Sequence, residues 1–207
     1  MEPTGQPSGL AGELSESEIE SRLHAHLLQP KLRELRDFSK LNLRPAAVLV
    51  PLVWTEDQWH LLFTRRTETL PSHRGQVSFP GGAADPADQS PEETALREAF
   101  EETGIRADDV KILGRLAYLA TVTNYLVTPV VGRIRWPYLF HLSQEEVSRV
   151  FTIPLTWLAD PQNRELRPLQ RVGYYEDVIY YRTYDGETLW GATARITVDL
   201  LSVLDLT

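Results

Sequence analysis

The sequence predicts a single α/β domain, a sandwich of helices around a mixed β-sheet. Runs of β-branched and apolar residues alternate with polar turn segments along the chain. Helical windows with clear start and stop signals lie between and after those runs. No fixed repeat and no Rossmann or Walker glycine pattern is present. At 207 residues the chain is long enough to bury a real core in one domain.

The elements follow in order. Residues 1–14, with Pro3, Gly5, Pro7, Ser8 and Gly9, are expected to form a flexible tail. Ser15 and Glu18 have the spacing of a capping box, and Ile19, Leu23 and Leu27 follow at helical intervals. This predicts a short helix ended by Pro30, within an extension over 15–44 that packs outside a main domain at 45–207. Ala46 to Trp54 and His60 to Arg65 read as strands joined in a hairpin through the polar segment 55–58. Thr67 to Gly75, with Pro71, reads as a loop. Val77-Ser78-Phe79 reads as a short strand stopped by Pro80-Gly81-Gly82.

The next helix has the strongest signals. Ser90 suits the N-cap, Pro91 the first helical position, and Glu93 completes a capping box. Ala95, Leu96, Ala99 and Phe100 supply a buried stripe, and Gly104 ends the helix. Strands are predicted around 111–120 and 126–134, then a polar helix near 143–150 and a proline-bounded segment at 154–161. Asp185-Gly186 predicts a hairpin turn between 178–184 and 187–190. A last helix carries Ile196, Leu200 and Leu204 on one side.

Composition narrows the function. Apolar content of 42% and charged content of 24% are those of a soluble globular protein. A formal charge of −8 argues against broad binding to nucleic acid or an anionic membrane. The absence of cysteine excludes a disulfide, a thiolate nucleophile and cysteine-bound zinc. No secretory signal, peroxisomal tripeptide or membrane-spanning run is read from the sequence, so a cytoplasmic protein is expected.

The chemistry concentrates in the helix that follows Ser90. Glu98, Glu101 and Glu102 stand at i, i+3 and i+4, so their side chains are neighbours. Three carboxylates that close repel one another, and a hard divalent cation such as magnesium removes the conflict. The plain alternative is a solvated acidic helix face. Arg97, four residues before Glu101, can pair with that carboxylate and orient it. Gly81 and Gly82 allow backbone to approach a metal or a phosphate closely. The acidic patch and the apolar stripe are expected on opposite sides of the helix.

These residues carry a family resemblance. The segment resembles the Nudix box, G-x5-E-x7-R-E-U-x-E-E-x-G-U, where U is a bulky aliphatic residue. Arg97, Glu98, Glu101, Glu102, Gly104 and Ile105 match position for position, with Ala99 at the first U. The front half departs: Gln89 stands where the box has glutamate, Asp88 precedes it, and Gly82 lies one residue farther from Arg97 than the box glycine. That departure resembles the coenzyme A pyrophosphatase branch, whose sequences read F-P-G-G-x-x-D-x-x-D-x-S before the helix. Phe79 to Gly82, Asp85, Asp88 and Ser90 fit that pattern. The branch's upstream signature, L-L-T-x-R-S-x3-R-x3-G-x3-F-P-G-G, is approached by the run from Leu61 to Thr67 and by Gly75 to Ser78 leading into Phe79. Its second arginine falls on Pro71, and Arg74 is close enough to stand in. The segments 124–132 and 189–194 also look like this branch, so the resemblance runs from about Pro45 onward.

The resemblance implies a Nudix-like α/β/α sandwich and a magnesium-dependent diphosphate hydrolase, with manganese as a substitute ion. The implied substrate is coenzyme A or an acyl ester, cut to 3′,5′-ADP and 4′-phosphopantetheine or its acyl form. Glu98 and Glu102 are implied as metal ligands. Glu101 is a further ligand or the group that takes a proton from the attacking water, held by Arg97, and Glu102 is also in the catalytic set. The Gly81–Gly82 backbone is implied beside the substrate, with a carbonyl offered to the metal. Arg65, Arg66 and Arg74 are the candidates for the substrate's phosphates; for each, a surface ion pair is the alternative. The loop residue His73 is read as exposed, His24, His26, His60 and His141 show no ligand spacing, and Tyr125 suits packing better than an adenine. Two rival readings are a Nudix pyrophosphatase acting on ADP-ribose, dinucleotides or nucleoside triphosphates, and a non-catalytic ligand-sensing domain of the same fold. Sequence leaves the oligomeric state open.

Overall fold

The apolar run at Arg44–Thr55 becomes the longest described strand, β1, and the rest of the sheet assembles around it. The computed structural model describes residues 14–28, 42–68, 75–171 and 174–207. The sequence expectations for the tail before residue 14, for Pro30 and for Pro71, His73 and Arg74 therefore lie outside the described residues. β1 turns through Glu56 and Asp57 into β2 (Gln58–Arg66). Both turn residues are left-handed, with φ of 53° and 56°, the twist that a two-residue hairpin needs. The predicted hairpin is present, with Leu52 opposite Leu61.

β3 (Val77–Ser78) pairs with β2, and β4 (Gly81–Ala83) pairs with β1. The first short strand stops before Pro80 as expected, and the glycine pair then opens a further strand of the sheet. Gly81 lies so close to β1 that an added Cβ would be 2.4 Å from the Ala47 carbonyl oxygen, so only glycine fits. Helix α2 (Pro91–Thr103) follows, then β5 (Val110–Arg115), β6 (Leu119–Ala120) and β7 (Tyr125–Ile134). β7 runs parallel to β1, whereas the other sheet pairs are antiparallel, so the sheet is mixed.

The predicted polar helix near 143–150 is absent. Ser143 to Glu146 closes one turn through Glu146 N–H to Ser143 O at 3.0 Å. Val147–Pro154 then forms β8 against β2. Val147, Val150, Phe151 and Ile153 prefer the pleated sheet, and cross-strand burial outweighs the polar start signal. Helix α3 (Leu155–Ala159) and a short 3-10 turn at Pro161–Asn163 occupy the proline-bounded segment. β9 (Arg164–Arg171) and β10 (Tyr174–Tyr181) make a separate two-stranded sheet. Asp185-Gly186 is a turn, but the strand before it pairs with β9. Only single bridges join Tyr184 to Glu187 and Tyr180 to Trp190. Trp190 already precedes helix α4 (Gly191–Val203), which leaves no room for a returning strand.

Two apolar layers enclose the main sheet. Ala47, Leu49, Val53, Val130 and Ile134 pack with Ala95 and Ala99 of α2 on one face. Val50, Leu52, Leu61, Phe63 and Ile153 pack with Ile196, Leu200 and Leu204 on the other. This is the α/β sandwich that the sequence predicts. Helix α1 (Glu16–Leu28) belongs to the second layer, because Ile19 and Leu23 are fully buried. Those two side chains dock the helix on the outside of the domain, and its other residues stay intermediate or exposed. Its capping box forms as predicted, with Ser15 N–H donating to Glu18 Oε2 at 2.8 Å. Among the described residues no helix is long and apolar enough to cross a membrane.

Candidate active site

The site is built where α2 crosses β4 and the end of β2. Ser90 caps α2, its hydroxyl accepting from Glu93 N–H at 3.2 Å, and Gly104 ends the helix in the left-handed region at φ 75°. The Glu93 carboxylate reaches back to Gln89 N–H at 2.7 Å, one residue short of a closed capping box. The buried side of α2 consists of Thr94, Ala95, Ala99, Glu102 and Thr103. Leu96 is only half-buried and Phe100 is 57% exposed, so the predicted apolar stripe is misplaced by part of a turn. Small residues let α2 approach the sheet closely, and Glu102 goes in with them. The acidic patch and the core-facing side consequently overlap instead of lying opposite.

Glu102 is 3% exposed, and its Oε2 has no hydrogen-bond partner. Burial pushes its carboxyl up to about 8; Arg66 opposes this, while the charges of Glu146 and Glu98 add to it. Burial also raises Glu98, against the effect of Arg97. Gly82 gives Glu98 its place: a Cβ there would meet the Glu98 carboxylate at 2.5 Å. The backbone of Gly81 faces Glu102. Gly81, Gly82, Glu98 and Glu102 are thus brought together.

Arg97 is the hub of the arrangement. It donates to Asp88 through two nitrogens at 3.1 and 2.9 Å, to Glu98 at 2.8 Å, to Glu101 at 3.2 Å and to the Ala83 carbonyl at 3.0 Å. The predicted Arg97–Glu101 pair exists, but Asp88 is the bidentate partner. The guanidinium holds Asp88 well below the usual carboxylate range, helped by the Asp85 N–H. The residue before Gln89 therefore supplies a carboxylate to Arg97. Glu101 itself is exposed, within Arg97's reach.

Arg65 and Arg66 separate. Successive strand residues face opposite sides of a sheet. Arg66 faces α2, its Nη1 lying 3.8 Å from Glu102 Oε1. Arg65 faces the α4 side, 2.7 Å from Glu68 and 3.5 Å from the buried Glu187. Arg149, opposite Arg65 on β8, shares Glu187 at 3.3 Å and also pairs with Asp185. Arg65 thus has carboxylate partners already, whereas Arg66 adjoins the glutamates.

Two participants escape sequence reasoning. Glu146 lies in the turn before β8, and its charge raises both Glu98 and Glu102. That turn is tied to the site by Ser143 N–H to Glu102 O at 3.0 Å and by Thr67 N–H to Glu146 O at 2.9 Å. Glu187, between Arg65 and Arg149, is the other. Neither residue stands in a spacing pattern, so no local signal marks it.

Among the described residues no three carboxylate or imidazole groups already converge at ligand spacing. The donor set nevertheless suits a hard cation: it is all oxygen, burial raises the carboxyls of Glu98 and Glu102, and one buried carboxylate oxygen lacks a partner. The geometry can hold an ion between Glu98 and Glu102, with an arginine-ordered carboxylate beside it.

Comparison with known proteins agrees with the fold and the helix. The NUDIX domain pattern matches residues 43–177, more than half of the chain. A protein called uncharacterized Nudix hydrolase NudL from Photorhabdus laumondii is 41% identical over 169 residues, covering 82% of this chain and 87% of its own. The Yersinia pestis protein of the same name is 42% identical over 182 residues, covering 87% and 90%. A solved NUDIX hydrolase structure from Alicyclobacillus acidocaldarius shares the fold at a TM-score of 0.50 and 19% identity, covering 79% of this chain and 93% of that one. With its helix of ordered glutamates and the arginine hub beneath them, the chain belongs to the NUDIX family of hydrolases.

Proposed function

We propose that the protein is a magnesium-dependent diphosphate hydrolase that cuts coenzyme A or an acyl ester into 3′,5′-ADP and 4′-phosphopantetheine or its acyl form. The observation that carries the hydrolase reading is the half-buried Glu98 beside the buried Glu102, next to a glycine backbone and with one carboxylate oxygen unpartnered. The choice of coenzyme A rests on the sequence resemblance around Phe79 to Ser90 and in the approach from Leu61.

In this reading Glu98 and Glu102 hold the cation, Mg2+ or Mn2+. The bound ion supplies charge for the phosphoryl oxygens and orients the attacking water. Arg97 fixes the carboxylates: Asp88 anchors the guanidinium, and its remaining nitrogens aim Glu98 and Glu101. Glu101, held at 3.2 Å from Arg97, takes the proton of the water that adds to phosphorus. Water adds as one bridging P–O bond breaks, and the leaving phosphate carries away the bridging oxygen. Gly81 and Gly82 line the path of the diphosphate. Arg66 offers a cation to it, with Arg65 and Arg74 as further candidates.

The test is direct. The protein is incubated with coenzyme A, ADP-ribose and a panel of nucleoside triphosphates, with magnesium or with chelator, and products are identified by mass. Coenzyme A is expected to turn over fastest, only with metal, giving 3′,5′-ADP. Preference for ADP-ribose or a triphosphate rejects the substrate while keeping the hydrolase. Undiminished turnover in both Glu98→Gln and Glu102→Gln rejects the metal assignment.

A further inference from the structure

We infer that Arg66 couples cation binding to substrate binding: it lies beside Glu102 in the free protein and moves onto the diphosphate when a cation takes its place. The inference rests on the metal reading proposed above and adds to it a defined exchange of partners.

The argument starts from unspent hydrogen-bonding groups. Arg66 Nη1 is 3.8 Å from Glu102 Oε1, near enough to pair charges and too far for a hydrogen bond. Arg66 Nε and Glu102 Oε2 are both buried and both lack a partner. Buried polar atoms without partners are costly, and finding two in facing residues marks a place made for a further group.

The other arginines around α2 and β2 are not in this condition. Arg97 uses its nitrogens on Asp88, Glu98, Glu101 and the Ala83 carbonyl. Arg115 grips Glu92 with two nitrogens. Arg65 and Arg149 share Glu187, and each has a second carboxylate. Arg66 alone in this set is loosely held.

Its backbone is fixed, however. Arg66 N–H donates to Gln76 O at 3.0 Å, and the Ser148 hydroxyl donates to Arg66 O at 3.4 Å. Motion is therefore confined to the side chain. A guanidinium and a divalent cation have the same sign, so an ion on Glu102 repels Arg66 from its side. The displaced Arg66 then has charge and donors to spend, and a diphosphate takes them in fork geometry. Cation and diphosphate must then favour one another through Arg66, and equally in both directions.

The test is titration calorimetry on the full chain with Mn2+, in the absence and presence of methylenebisphosphonate, a diphosphate mimic that cannot be hydrolysed. The ion's own affinity for the mimic is subtracted, and folding of each variant is checked by circular dichroism. In the wild type the mimic is expected to tighten Mn2+ binding about tenfold or more, within the usual range of such couplings. In Arg66→Gln the ion still binds, but the tightening falls below about threefold. Arg66→Lys, which keeps the charge without the fork, falls between the two. Wild-type coupling in Arg66→Gln overturns the inference. Failure of the wild type to bind Mn2+, or undiminished Mn2+ binding in Glu102→Gln, overturns the metal reading and this inference with it. Mn2+ binding that is lost in Glu102→Gln yet uncoupled from the mimic in the wild type overturns the role of Arg66 alone.

Discussion

Replacing Glu102 by glutamine should stabilise the metal-free protein while removing a ligand of the proposed metal site. Burial pushes this carboxyl from its ordinary 4.5 up to about 8, so the folded state keeps a proton that the unfolded chain gives up. Below pH 4.5 both states are protonated and no stability is lost. As pH rises toward 8 the unfolded state is increasingly favoured, at about 1.4 kcal/mol per pH unit. The full difference is then roughly 4 to 5 kcal/mol at pH 8 and above, an upper figure because local relaxation lowers it. Glutamine keeps the shape and cannot ionise, so the variant escapes the loss. Urea unfolding in chelator should give similar stabilities at pH 4.5, and a variant several kcal/mol more stable at pH 8.5. For a chain of this size each kcal/mol shifts the melting temperature by about 2 to 4 °C. A difference under about 1 kcal/mol at pH 8.5 would refute the claim that Glu102 is buried at such cost.

The same proton gives a second measurement. Cation binding at pH 7 should release close to one proton from Glu102, seen as a dependence of the calorimetric enthalpy on the buffer's ionisation heat. Gly82→Ala puts a methyl 2.5 Å from the Glu98 carboxylate and should cut kcat at least about tenfold while circular dichroism stays unchanged. Arg97→Ala leaves Asp88 and Glu98 without their common partner; urea unfolding should show a loss of roughly 2 to 3 kcal/mol, and turnover should vanish. Ser90→Ala removes one cap hydrogen bond and should cost about 1 kcal/mol with kcat nearly intact, which separates helix stability from chemistry.

Features written in local spacing were legible in the sequence. The Ser90 cap, the Gly104 stop, the Glu56–Asp57 hairpin and the closeness of Glu98, Glu101 and Glu102 all follow from residues a few positions apart. Features set by tertiary pairing were not. Val147–Pro154 looked helical at its polar start, yet β2 offered it a partner and the β-branched residues took the sheet. Pro80-Gly81-Gly82 read as a stop, and β3 does end before it, but only pairing with β1 makes the bare glycines a strand between β1 and α2. Arg65 and Arg66 are adjacent in sequence and looked equivalent, but the pleat sends one to Glu187 and the other to Glu102. Glu146 was invisible because only the fold brings its turn to the end of α2.

The grip of Asp88 on Arg97 shows that position along the chain and length of side chain can be exchanged for one another. A glutamate at the following position would reach from farther along with one more methylene. The Asp85–Asp88 turn carries a shorter acid back by one residue and delivers its oxygens to the same guanidinium. The constraint lies on where two oxygens arrive, and it leaves the residue that carries them free to change. Rigid spacing marks Gln89 as a gap, whereas the position of the oxygens on Arg97 leads to Asp88.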